Sequence, residues 1–91
     1  MKTLPANLQF RRTTPVFTEE TVPTGLLRAH RTKAGTWGRI VVLEGRLLYR
    51  IHISPAEEHI LDPDTPGIIE PQVQHEVATL GKTRFRVEFF H

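Results

Sequence analysis

The chain contains no cysteine and only one serine. The absence of cysteine excludes disulfide bonds, zinc sites built on thiolates and catalysis by a thiol. Ser54 lies beside Pro55 in a predicted turn, which argues against a serine nucleophile. A domain this small that lacks covalent cross-links often gains stability by association, so we expect a homodimer. The lack of cysteine also fits a cytoplasmic protein, which is the location we expect.

Long apolar runs and blocks of like charge are missing as well. No apolar run approaches the roughly 18 residues of a transmembrane helix, and the first residues lack the hydrophobic segment of a signal peptide. Twelve basic residues are interspersed among ten acidic ones, giving a net charge of +2 without a Lys/Arg block. We therefore expect neither a membrane nor a nucleic acid as a partner.

The 91 residues are divided into short β-rich runs by seven prolines and six glycines. No window shows the apolar spacing of an amphipathic helix, so the pattern predicts a single all-β domain over residues 1–91, with residues 1–9 as a loosely ordered arm. The runs that we expect to form strands are 10–17 (an edge strand broken at Pro15), 25–30, 37–43, 46–53, 58–61, 68–70, a run through Val77 and Ala78, and 84–90.

Side-chain alternation and turn chemistry give further expectations for these strands. Leu47, Tyr49, Ile51 and Ile53 share one face, which should point to the core. The two residues Glu44-Gly45 predict a β-hairpin between the strands on either side of them. Eight or so short strands in so short a chain favour a small barrel or jelly roll.

The stretch 69–77 contains the most suggestive residue for chemistry. His75 follows a turn stiffened by Pro71 and stands between Val73 and Val77. We expect this segment to present the imidazole to the inside of the barrel. Neutral imidazole is a good ligand for several transition metals. The alternative is a buried histidine that is bonded to a nearby carbonyl.

Several motifs in combination resemble those of the small cupins of the TehB/YeaR type, which are associated with tellurite resistance. The residues that carry the resemblance are His30-x-Thr32-Lys33-x-Gly35-x-Trp37-Gly38, Leu43-x-Gly45, Ile69-Glu70-Pro71-Gln72-Val73-x-His75 and Val87-Glu88-Phe89. The resemblance implies a cupin, a small antiparallel jelly-roll barrel that is often dimeric, in a stress-response setting. In that family the domain occurs alone or fused ahead of a methyltransferase. This chain has no glycine-rich nucleotide-binding turn, so we do not expect it to be a methyltransferase by itself.

The general cupin pattern supplies metal ligands, and this chain departs from it. His30 fits the first histidine of the pattern and His75 fits the last. Thr32 occupies the place of a second histidine, and Thr36-Trp37-Gly38 stands where a glutamate belongs. Only two of the four usual ligands are present. This departure from the pattern weakens the expectation of an ordinary iron or manganese centre.

Other residues are candidates for completing a site. A divalent metal (zinc, iron or nickel) would be held by His30 and His75 with Glu88 as the favoured carboxylate, although a cross-strand ion pair is the alternative role for Glu88. His52 is expected on the exterior. Glu70 or Glu76 could orient the ring of His75. The candidates for contacting a small-molecule or oxyanion ligand are Lys33, Trp37, Arg39 and Glu70.

These residues leave three functions open. The first is a module that binds a metal ion or a small anion inside the barrel. The second is a metal-dependent enzyme with an open coordination position. The third is a dimerisation or interaction scaffold without catalysis.

Overall fold

The computed structural model describes all residues, 1–91, and is built almost entirely of strands. In chain order these are β1 (Phe10–Thr13), β2 (Phe17–Thr18), a 3₁₀ helix (Thr24–Leu27), β3 (Trp37–Glu44), β4 (Leu47–Ile51), β5 (Glu57–Leu61), β6 (Gly67–Ile69), β7 (His75–Thr79) and β8 (Arg84–Phe90). The predicted all-β class is confirmed. The one helix has four residues, and no helix is long and apolar enough to cross a membrane.

The strands form two antiparallel sheets. The larger has five strands in the order β1-β8-β3-β6, with β2 also paired to β8, and the smaller has the order β5-β4-β7. Strand β8 is central because it pairs with β1, β2 and β3. The inner faces of the two sheets meet, as in a jelly roll.

The core lies between these inner faces and follows the alternation of side chains along the strands. Leu47, Tyr49 and Ile51 on β4 are buried, as predicted, whereas Ile53 lies beyond the end of the strand and is 41% exposed. Phe85 and Val87 on β8, which belongs to the larger sheet, are also buried. Because successive side chains of a strand point to opposite faces, the sequence alone predicts which residues of these strands point to the core.

The predicted hairpin at Glu44-Gly45 is wrong. Strand β3 pairs with β6 and β8, while β4 pairs with β5 and β7, so the chain crosses from one sheet to the other at this turn. Gly45 has a φ of 80°, and a Cβ there would collide with the carbonyl oxygen of Lys82. Glycine is required here because the turn between β7 and β8 packs against the crossover.

The predicted strand over 25–30 is also wrong. Thr24–Leu27 forms the 3₁₀ helix, and His30 makes only an isolated β-bridge. Residues 1–9 contain no strand, and this segment is tied to the barrel by ion pairs from the Met1 amino group to Glu57 (2.9 Å) and from Lys2 to Glu70 (3.1 Å).

Candidate functional site

Two histidines from distant parts of the chain meet at one end of the barrel. The backbone N–H of His30 donates to the carbonyl of His75 (2.9 Å), and the N–H of His75 donates back to the carbonyl of His30 (2.8 Å). The ring centroids lie 4.5 Å apart in an edge-to-face arrangement. The structure therefore brings together the two histidines that the sequence analysis selected.

His75 is held in one orientation by its own segment. Its Nδ1 lies 3.0 Å from the carbonyl oxygen of Val73, an acceptor, so Nδ1 carries the proton. A carbonyl of the same turn thus orients the ring. The Glu76 carboxylate contacts the exterior His52 instead (2.6 Å), and Glu70 pairs with Lys2, so neither expected carboxylate takes this role.

The other nitrogen of His75 is buried without a partner. Nε2 makes no hydrogen bond, and the residue is only 2% exposed. Burial, with a smaller contribution from the neighbouring His30, lowers the pKa of His75 from 6.5 to about 4. The ring is therefore neutral near pH 7 and presents a bare lone pair inside the barrel.

Tyr49 is the third ring of this cluster. Its centroid lies 5.8 Å from that of His75, and its hydroxyl donates to the carbonyl of Ile68 (2.9 Å). Burial raises the pKa of Tyr49, so the phenol remains protonated. The sequence placed Tyr49 in the core, which is correct, but gave no sign of its contact with the histidine pair.

A cavity of about 270 Å³ opens beside His30 on the inner face of the larger sheet. Its lining is mostly apolar, with His30 and Thr32 among the polar residues. The Thr32 hydroxyl is already committed, since it donates to the carbonyl of Thr36 (2.7 Å). The lining residues are Arg12, Thr14, Phe17, Pro23, Gly25, Leu26, His30, Thr32, Ile69, Val87 and Phe89.

Arg12 supplies the positive charge of this cavity, and the sequence analysis missed it. Its guanidinium carbon lies 4.4 Å from the centre of the Phe89 ring, which it covers. Arg12 and Phe89 are register partners of β1 and β8, so their side chains share the inner side of the sheet. No acidic side chain pairs with this arginine. The only sequence signal for it was its place on an edge strand, whose partner was unknown.

Arg39 and Glu88 lie on the opposite, outer side of the same sheet. The Glu88 carboxylate accepts from Nε and Nη2 of Arg39, both at 2.8 Å. The residues before and after Glu88 on β8, Val87 and Phe89, line the inner cavity. The structure therefore does not bring Glu88 to the histidines, and Glu88 makes the cross-strand ion pair that was its alternative role.

The remaining predicted ligand-binding residues are also outside the cavity beside His30. Trp37 pairs with Phe90 in register and shares the outer side with Arg39. Lys33 is exposed in the turn before β3. Glu70 lines a separate cavity of about 270 Å³ beneath Met1 and Lys2.

The residues present do not fit a metal centre with three protein ligands. His30 and His75 offer two imidazoles, and no group of three His, Cys, Asp or Glu side chains is positioned to hold a metal ion. Catalytic zinc sites use three protein ligands and structural ones use four. The geometry thus provides a neutral histidine pair beside a largely apolar cavity.

Comparison with known proteins relates the chain to one family. Residues 12–87 match the family described as the TehB-like domain. The probable S-adenosyl-L-methionine-dependent methyltransferase TehB of Haemophilus influenzae is 36% identical over 71 residues, which cover 74% of this chain and 25% of that protein. The chain thus spans about a quarter of the length of this relative. The uncharacterized protein YeaR of Escherichia coli K12 is 29% identical, with 99% of this chain and 83% of that protein covered.

Solved structures agree with the observed fold. The crystal structure of Haemophilus influenzae TehB matches with a TM-score of 0.84 and 30% identity, over 93% of this chain and 32% of that one. A crystal structure of an Escherichia coli K12 protein matches with a TM-score of 0.88 and 23% identity, over 100% and 97% of the two chains. The capsular polysaccharide assembling protein CapF of Staphylococcus aureus, at a TM-score of 0.54 and 15% identity over 97% and 29%, shares the fold alone. The family match over most of the chain shows that this protein belongs to the TehB-like domains.

Proposed function

We propose that this domain is a binding module that holds a small anionic molecule in the cavity beside His30. The observation that carries the proposal is the cavity itself, in which apolar walls, a neutral histidine and an unpaired arginine converge. A largely apolar, concave site with a few polar groups is the usual form of a small-molecule site. At about 270 Å³ the cavity lies just below the usual range of about 300–1,000 Å³, so the ligand is small.

The position of the histidine pair supports binding through the cavity. His30 lines the cavity and contacts His75 behind it, so His30 forms the wall between ligand and core. Burial lowers the pKa of both rings, so neither carries a charge near pH 7. A neutral imidazole has one nitrogen that donates a hydrogen bond and one that accepts a hydrogen bond, so it can bond to a ligand without adding a charge to the site.

Titration of ¹⁵N-labelled protein with hexanoate, benzoate and inorganic phosphate tests the proposal. Saturable shifts should cluster on amides of the cavity lining. Replacing Leu26 by Trp should fill the cavity and abolish the shifts. Leu27→Trp is the matched control, since Leu27 lies on the same 3₁₀ helix but is 41% exposed and outside the lining. Equal binding by both variants, or shifts elsewhere on the barrel, would remove the cavity as the site.

A metal-dependent role is the second candidate, because His75 Nε2 is a buried nitrogen without a partner. The test is elemental analysis of untagged protein, repeated with a His75→Gln variant that remains folded. Stoichiometric zinc, iron or nickel in the parent, and its loss from the variant, would favour the metal-dependent role over the metal-free binding module. Metal-free protein that binds the small anions would exclude the second candidate.

The homodimer and the stress-response setting belong to the same proposal. Sedimentation equilibrium of the purified protein tests the first. For the second, cells carrying His30→Ala and His75→Gln together should behave under oxyanion stress like cells that lack the gene. Wild-type behaviour of those cells would instead favour a scaffold that acts through its surface.

A further inference from the structure

We infer that Arg12 selects the ligand, and that the ligand class is a small molecule with one anionic head, such as a carboxylate, on an apolar body. The inference rests on the proposed function, because it assigns the chemistry of what the cavity beside His30 binds. It adds a specificity-determining residue that the motifs do not contain, and it gives the ligand an orientation.

Arg12 is free to bind an anion. Its guanidinium rests on the ring of Phe89, and it forms no ion pair. Strand β1 is an edge strand, and all four of its residues are exposed, so the cationic end of Arg12 lies where the cavity meets solvent. A guanidinium stacked on a ring keeps its planar set of N–H donors available and matches the two oxygens of a carboxylate.

The interior of the cavity offers no second charge. Phe17, Leu26, Ile69, Val87 and Phe89 supply its apolar walls. Among the polar residues of the lining, His30 is a neutral ring, and the hydroxyl of Thr32 already donates to a backbone carbonyl. The oxygens of a phosphate ion would lack hydrogen-bond partners against these walls, whereas a ligand with an apolar body would cover them.

The distribution of charge along the chain favours anions at the same end of the barrel. No Asp or Glu occurs between Thr21 and Leu43, the segment that supplies His30 and Thr32. Arg28, Arg31 and Lys33 lie within three residues of His30, and none of them forms an ion pair. Such a cluster raises the local concentration of anions and is screened by salt.

The test compares benzoate with benzamide, its neutral analogue of similar shape, by NMR titration at low and moderate salt. The proteins are the parent, Arg12→Gln and the control Arg11→Gln. Arg11 neighbours Arg12 on the same strand but reaches the carbonyl of His91 rather than the cavity. We expect benzoate to bind the parent at least ten-fold more tightly than benzamide. Arg12→Gln should lose that factor for benzoate only, while Arg11→Gln should keep it.

The outcomes separate the two proposals. Arg12→Gln should still bind benzamide as the parent does, which shows that the cavity is intact. If benzamide binds as tightly as benzoate, or if both glutamine variants weaken benzoate equally, the selection by Arg12 is refuted and the cavity remains the binding site. If neither compound shifts the lining residues, the proposed function fails together with the inference.

Discussion

The burial of His75 predicts that the protein loses stability as the pH falls from 7 to 4. The pKa of this histidine is about 4 in the folded protein and 6.5 when it is exposed. Between these values the unfolded chain binds a proton that the folded chain does not. Acid therefore favours the unfolded state, and the stability present above pH 6.5 is progressively lost on the way down to pH 4.

The magnitude follows from the two pKa values. A pKa difference of one unit corresponds to about 1.4 kcal/mol, so protonation of His75 should cost about 2 kcal/mol between pH 7 and pH 5, and about 3 kcal/mol by pH 4. His30, whose pKa burial also lowers, adds to the loss in the same direction. Glu19 and Glu57 have pKa values lowered below 4.5, so their contributions are lost at more acidic pH. The interval from pH 7 to 5 thus isolates the histidines.

Urea denaturation at several pH values measures the effect, and the ring resonances of His75 report its pKa directly. In His75→Gln nothing titrates at this position. The free energy of unfolding of that variant should vary by about 2 kcal/mol less than that of the parent between pH 7 and 5. A His75 ring that titrates near 6.5, or identical slopes in the parent and His75→Gln, would refute the reasoning.

Further predictions concern the backbone and the outer ion pair. Gly45→Ala should destabilise the protein by about 3 kcal/mol or more in a urea titration, because residue 45 has a positive φ and an added Cβ would collide with the Lys82 carbonyl. Gly81 has a similar φ but lies in open space, so Gly81→Ala should cost only about 1 kcal/mol in the same titration. Gln72 has a φ of 63°, so Gln72→Gly should leave the free energy of unfolding unchanged or raise it by up to about 1 kcal/mol, and a clear loss would contradict strain at this residue. Glu88→Gln should cost under about 1 kcal/mol and leave benzoate affinity unchanged, because its ion pair is partly exposed on the outer side of the sheet. Loss of a bound metal or ligand in that variant would restore Glu88 as a site residue.

Most of the strands could be predicted because their side chains point alternately to the core and to the surface. The predicted and observed strand at Arg84–Phe90 agree, and its inner and outer residues are those that the alternation indicates. The connection at Glu44-Gly45 could not be predicted in the same way. A two-residue turn does not reveal whether the next strand joins the same sheet. In this protein the need for glycine arises from Lys82, which is distant in sequence.

The candidate site was predictable only where a motif carried the information. His75 was selected from its own segment and then through the resemblance, and His30 through the resemblance alone; the two meet as a backbone-bridged pair. The candidate cations were Lys33 and Arg39, whereas Arg12 lines the cavity. The choice between Arg12 and Arg39 depends on which side of the larger sheet each residue faces. That facing follows from the register of β1 and β3 against β8, which the sequence alone does not specify.

The same register places two different electrostatic environments on the two sides of the larger sheet. On the outer side, Glu88 neutralises Arg39, so this arginine contributes little to attracting a ligand. On the inner side, Arg12 faces Phe89 and has no acidic partner, and the histidines behind the cavity are neutral. Positive charge is therefore concentrated where the cavity meets solvent, while its interior is uncharged. A ligand that satisfies both regions must itself be divided into an anionic end and an apolar end.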